Sequence, residues 1–237
     1  MVPFRFDVVR AGRALSALLK DPDDLPQVFT LIESISGTAH WRLVNGFERD
    51  PSGQRLLRDK PDIVAILADR ERLRALPEGT LGRAYLAFVE SENISAQGIR
   101  DASLEGRVVH SKDQRFAYVS DRMRDTHDLW HALTGYKGDV LGELSLLAFN
   151  LAQHWNSAVA LIVVAAILKG YGRADFGMVL DGYKRGRRVK AWLPAADWES
   201  LIAMPLSEVR TKLGIEAVPA YTPLRSADLR AQGLVGA

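Results

Sequence analysis

Two histidines four residues apart, His127 and His131, stand with Asp128 beside the first, and Glu143 follows the second after eleven residues. Four side chains able to bind a cation thus fall within one short window. On a helix, positions four apart share a face one turn apart, so both imidazoles can reach a single ion. Asp128 lies about 100° round the helix from His127 and about 60° from His131. It is either a third ligand or a group that supports a ligating ring from behind. H-D-x-x-H also resembles the H-E-x-x-H of zinc peptidases, with Asp at the position of the base. Two nitrogens and two carboxylates suit zinc, manganese or ferrous iron better than calcium, and without thiolates the choice stays open. The plainer alternative is that His127 and Asp128 cap and pair within a surface helix.

The elements around these residues must bring them together. A helix through His127 and His131 should stop at Thr134–Gly135, because Gly is favoured just past a C-terminus. Lys137-Gly138-Asp139 then reads as a turn, with a second helix from about Val140. Glu143 falls in its first turns, and an antiparallel hairpin returns it towards His131. After Glu143 the chain is uncharged from Leu144 to Leu168, long enough to span a bilayer. Asn150, Gln153, His154 and Asn156 interrupt that run, so a buried core helix is the expectation, with His154 on it too far along to share the ion. Such a helix would set the ion beside an apolar element suited to a greasy substrate, or would simply be the central helix of a bundle.

The rest of the chain reads as helical. The opening 20 residues have apolar positions at Phe4, Val8, Leu15, Leu18 and Leu19. Val28, Leu31, Ile32 and Ile35 mark a helix ended by Gly37. Asn45 to Gln54 reads as a polar loop, and Pro61 opens an amphipathic helix to Leu76, with Asp62 and Asp69 on its polar side. Leu81, Tyr85 and Phe88 share one face of a further helix. Ser95 to Gly106 reads as turn-rich, and Val108, Val109, Phe116 and Tyr118 as a short strand or two. Gly170 to Lys190 is the one plausible boundary, and Asp197 caps a helix before a last one ending at Gly214. The expectation is an all-α protein, a single multi-helix domain over residues 1–237 with a central buried helical hairpin. It has an N-terminal helix in 1–20 and an irregular tail over 217–237.

Of the remaining candidates, Arg122 and Arg124 either bind a carboxylate or phosphate at the site mouth or solvate the approach to the helix. His40, His110 and His154 are isolated and read as core or surface residues. Lys184, Arg185, Arg187, Arg188 and Lys190 form either a solvated surface or a contact for anionic head groups, with Trp192 suited to a membrane interface. A net charge of +2 and 25% charged residues give no field for nucleic acid, which is excluded as a partner. With no cysteine in the chain, disulfides and thiolate metal sites are excluded.

Several stretches together resemble the ubiquinone (coenzyme Q) biosynthesis protein 4 family. They are H-D-x-x-H with its eleven-residue gap to a Glu preceded by Gly, LTGY at Leu133–Tyr136, VLGE at Val140–Glu143 and LPEGTLGRAY at Leu76–Tyr85. AYVSDRMRDTHD at Ala117–Asp128 and DWESLIAMPLSEVRTKLGI at Asp197–Ile215 extend the likeness. The resemblance implies an all-helical fold and a divalent metal on His127, Asp128, His131 and Glu143, zinc foremost, with magnesium, manganese or iron as alternatives. It implies a lyase-type role in ubiquinone synthesis, in which the carboxyl at ring carbon 1 of a polyprenylated hydroxybenzoate is removed oxidatively and replaced by a hydroxyl. The alternative it carries is a non-catalytic scaffold that binds a prenyl lipid, organises other ubiquinone-biosynthesis proteins and holds a structural metal. A metallohydrolase unrelated to quinones is the third reading. The implied partners are a polyprenylated precursor or other prenyl lipid, the companion biosynthetic proteins, a peripheral membrane surface and further copies of the chain. The first residues lack signal and transit features, so the expectation is a bacterial member in the cytoplasm, with contact at the inner face of the membrane.

Overall fold

In a computed structural model, residues 6–36, 38–106, 113–171 and 176–235 are described, and the side chains of 105 and 106 are not. Phe4, Gly37, Val108, Val109, His110 and residues 172–175 of the expected boundary lie outside the described residues. Among the described residues the fold is all-α, and an isolated bridge between Thr80 and Pro205 is its only extended pairing.

The helices are α1 (Val8–Leu18), α2 (Leu25–Ile35), α3 (Ala39–Arg49), α4 (Pro51–Asp59), α5 (Ile63–Leu67), α6 (Arg70–Arg74), α7 (Leu81–Ser91) and α8 (Ala96–Gly106). They continue as α9 (Gln114–Asp125), α10 (His127–Thr134), α11 (Val140–Gln153), α12 (Ser157–Lys169), α13 (Phe176–Arg188), α14 (Trp198–Leu201), α15 (Leu206–Leu213) and α16 (Ser226–Ala231). Acidic caps start many of them. Asp50, Asp62, Asp69, Asp113, Asp139 and Asp197 each accept a bond from a backbone N–H of the first turn. Such caps satisfy donors that the helix itself leaves unpaired, and each stabilises by about 1 kcal/mol.

α11 is the spine. Leu146 and Phe149 on one side join the main core with Trp130, Leu133, Tyr136, Tyr85 and Trp198. Val140, Leu141, Leu144 and Ala148 on the other meet Val163, Ala166 and Val179 from α12 and α13. α13 lies so close that a Cβ on Gly182 would sit 2.3 Å from the Ser145 carbonyl oxygen, and one on Gly186 2.4 Å from that of Phe149. Gly182 and Gly186 therefore serve helix packing, and no boundary falls within α13.

Several local expectations are corrected. Asn45–Gln54 is helical on both sides of Asp50, because Asp50 caps a helix opened by Pro51 and Gly46 lies flat against Trp192. The helix expected after Pro61 is two, since Asp69 is a cap for α6 and not part of a polar face. Ser95 starts α8 by accepting from the Gly98 amide, where turns were expected. Phe116 and Tyr118 belong to α9. The uncharged run is two helices, because His154 is extended and Asn156 caps α12 through Ala158 and Val159. No described helix is long and apolar enough to cross a membrane. The tail expected to be irregular carries α16, whose Leu229 is fully buried.

Candidate metal centre

α10 and α11 form the hairpin that the spacing predicts. Gly135 ends α10 with φ +90°, a conformation open to glycine at little cost, and Asp139 caps α11 through the amides of Leu141 and Gly142. Leu129, Trp130 and Leu133 anchor α10 in the core. This turns His127 and His131 to the opposite side, their rings edge-on with centroids 4.9 Å apart. Phe88 of α7 stacks on His131 at 4.7 Å and 12°.

Both imidazoles are held by one nitrogen and present the other. His131 Nδ1 lies 3.0 Å from the Tyr136 carbonyl oxygen. A carbonyl only accepts, so Nδ1 carries the hydrogen, and Nε2 is the nitrogen turned towards the cluster. His127 Nδ1 likewise lies 3.2 Å from Asp128 Oδ1. The two Nε2 atoms then face one carboxylate, His131 at 3.0 Å from Glu143 Oε1 and His127 at 3.8 Å from Oε2. His131 Nε2 is buried and has no hydrogen-bond partner. Lone pairs opposed at such distances repel unless positive charge lies between them, as a proton on Nε2 or as a metal ion. Ligand atoms held on bonds of ~2.0–2.2 Å stand roughly 3–3.5 Å apart; the His131 spacing falls in that range and the His127 spacing lies just beyond it.

The electrostatics agree. Burial pushes the His127 imidazole down, but Asp128 and Glu143 outweigh it and hold it above its ordinary value. Desolvation pushes the Glu143 carboxyl up, and the His131 and His127 imidazoles overcome that and hold it at about 2. His127, Asp128 and His131 also group tightly, with one ligand atom of each within 4.8 Å of the others. Asp128 nevertheless meets His127 on its Nδ1 side, where a carboxylate fixes the tautomer and turns Nε2 outwards.

Arg122 and Arg124, expected at the mouth, are committed elsewhere. Arg122 is buried and grips both oxygens of Glu199 at 2.8 and 2.9 Å while also donating to the Ala196 carbonyl. Arg124 is buried among Asp121, Asp125 and Ser103. Burial of a guanidinium is tolerated only with such pairing, so neither is free to meet a ligand. Trp192, expected at an interface, instead packs on Phe47 and donates to the Gln153 carbonyl. The sequence reading missed the Tyr136 carbonyl and the ring of Phe88 as neighbours of the site. Phe88 had a signal, since it shares an α7 face with Tyr85.

An all-helical protein with a paired-histidine, carboxylate cluster on a helical hairpin is the class that fold and site define. Residues 5–219 match the family described as coenzyme Q (ubiquinone) biosynthesis protein Coq4, and the chain belongs to that family. It is 34% identical over 187 residues to the mitochondrial ubiquinone biosynthesis protein coq4 of Aspergillus terreus, covering 78% of this chain and 63% of that one. It is 30% identical over 232 residues to the COQ4 of Arthroderma otae, covering 95% of this chain and 83% of that one. The chain thus spans under two thirds of the Aspergillus terreus relative. A crystal structure of a protein from Nostoc punctiforme PCC 73102 shares the fold, with a TM-score of 0.67 at 20% identity, covering 90% of this chain and all of that one.

Proposed function

We propose that this protein works in ubiquinone synthesis as a metal-dependent enzyme that removes the carboxyl at ring carbon 1 of a polyprenylated hydroxybenzoate and leaves a hydroxyl in its place. The carrying observation is that the Nε2 atoms of His127 and His131 converge on the Glu143 carboxylate at 3.8 and 3.0 Å, with Asp128 behind His127, an arrangement that favours a cation between them. His127, His131 and Glu143 hold the ion, a divalent metal with zinc foremost and magnesium, manganese or iron as alternatives, and Asp128 orients His127. When bound, the ion supplies a positive charge that holds an oxygen of the ring substituents and offsets negative charge developing on the ring.

The chain's own residues set the access. His131 is sealed beneath Phe88, whereas the side chains of His127 and Glu143 are 24% and 41% exposed, so the ring approaches from their side. Since Arg122 and Arg124 are paired elsewhere, the substrate carboxylate has no arginine partner here. The carboxyl departs as CO2, the hydroxyl oxygen comes from water, and two electrons and two protons leave. A two-electron acceptor is therefore a required co-substrate.

α13 supports the second reading, a lipid-surface scaffold with a structural metal. With its glycine face on α11, it turns Phe176, Leu180 and Tyr183 outwards, followed by Lys184, Arg187 and Arg188 on the same side. An apolar stripe that becomes cationic suits an anionic bilayer surface.

The test is His131→Ala in cells that depend on this gene, with metal content and ubiquinone both measured. Loss of both is the expected result; normal ubiquinone in that variant would sink the enzymatic reading. Turnover of the precursor by metal-loaded wild-type protein with an electron acceptor separates the two readings. A scaffold shows none and loses companion-protein assembly instead.

A further inference from the structure

The hairpin does not hold itself. Its turn is fastened by the C-terminal segment, through a set of bonds converging on Asp139. This carboxylate is buried, 1% exposed. Its Oδ1 accepts from the amides of Leu141 at 3.2 Å, Gly142 at 3.3 Å and Leu224 at 2.8 Å. Its Oδ2 accepts from the Tyr221 hydroxyl at 2.6 Å. The same hydroxyl accepts from the Lys137 amide at 2.9 Å. Tyr221 therefore bridges the two sides of the turn, one residue before Gly138 and one after. The backbone continues the clasp: Val218 donates to the Thr134 carbonyl and Val140 to the Leu224 carbonyl.

Gly142, the residue before Glu143, is built into this clasp. A Cβ there would lie 2.1 Å from the Lys137 carbonyl oxygen, 2.5 Å from the Tyr221 hydroxyl and 2.9 Å from Asp139 Oδ2. The glycine of the Gly-Glu pair is thus required first by the Lys137 carbonyl and next by the phenol packed against it. The consequence falls on the next residue, since the start of α11 sets where the Glu143 carboxylate points. The neighbouring imidazole is tied to the same turn, through the Tyr136 carbonyl on His131 Nδ1.

We infer that Tyr221 is a positioning residue of the centre: by bridging Lys137 and Asp139 across the turn it fixes Glu143 opposite the Nε2 atoms of His127 and His131. It touches neither the carboxylate nor the imidazoles and acts through Asp139 and Gly142. The inference rests on the metal reading above, and its test separates the two.

Tyr221→Phe keeps the ring and its packing and removes only the hydroxyl. Co2+ is titrated into purified full-length protein, with affinity and the visible absorption band recorded. The expected result is a 10–100-fold loss of Co2+ affinity, the range found when groups supporting metal ligands are removed, with a shifted band and a metal-free protein that still melts cooperatively, a few degrees lower because Asp139 loses a donor. Asp139→Asn is the second variant. If both act through one clasp, the double variant loses no more affinity than the worse single one. Wild-type affinity and band in Tyr221→Phe would overturn the inference, as would an affinity loss matched by a collapse of metal-free stability. If the wild type takes up no Co2+, the metal reading fails by itself. The 15N shifts of the His127 and His131 rings in metal-free protein then decide: a change in Tyr221→Phe supports positioning, and identical shifts overturn it.

Discussion

The molecule contains two histidine neighbourhoods with opposite electrostatics. At the hairpin, His127 faces Asp128 and Glu143 and is held above its ordinary pKa. At the break between α11 and α12, burial pushes His154 down to about 4, and His40 pushes it further the same way. His154 Nδ1 is buried without a hydrogen-bond partner, and the His40 ring packs on Phe116 at 5.1 Å. Both places desolvate an imidazole. Only the first supplies carboxylates, and that decides whether burial yields a cation site or a neutral packing residue. Histidine alone is therefore a poor guide to a metal centre, and the charge facing its second nitrogen is a good one.

The most severe break of this comparison is His131→Ala. It removes a fully buried imidazole that we propose as a ligand, and on that reading the bound-metal stoichiometry should fall from one to none by elemental analysis, whereas His154→Ala should retain a full equivalent. Metal lost equally in both variants would show that the two neighbourhoods are not distinct. Asp128→Asn comes next. The amide can no longer favour Nδ1–H as a charged acceptor does, so metal affinity should drop roughly 10–100-fold in a competition titration. A complete loss would make Asp128 a direct ligand, and no change would remove it from the site.

His154 gives the smallest effect. Its folded pKa of about 4 lies below the ordinary imidazole value of 6.5, so the unfolded chain binds the extra proton between those values. Stability unaffected above pH 6.5 should therefore decline as pH falls towards 4, by at most about 1.4 kcal/mol per pH unit. Urea melts at pH 7, 6 and 5 should show that slope reduced in His154→Gln. An identical slope in the variant would assign the acid loss to other groups.

The hairpin was legible in the sequence because everything that builds it is local. Gly135 stops one helix, Asp139 starts the next, and the four ligand-type residues lie within that span. What escaped was set by partners distant in the chain. Arg122 looked available until Glu199, 77 residues on, took both its terminal nitrogens. Gly46 looked like a loop residue until the Trp192 indole lay against it. Asn156 did carry a local signal, an Asn-Ser pair ahead of an apolar run, yet the absence of charge made the whole stretch read as one helix. The Tyr136 carbonyl that orients His131 is a backbone atom, on which residue type is silent.

The separations within the clasp also set an order of events. The contacts among His127, His131 and Glu143 close loops of at most 16 residues, whereas Tyr221 reaches Asp139 across 82. Short loops close fast and cost little chain entropy, and long ones follow. Loop closure alone therefore favours an order in which the imidazoles meet their carboxylate first and the distant segment fastens the turn afterwards.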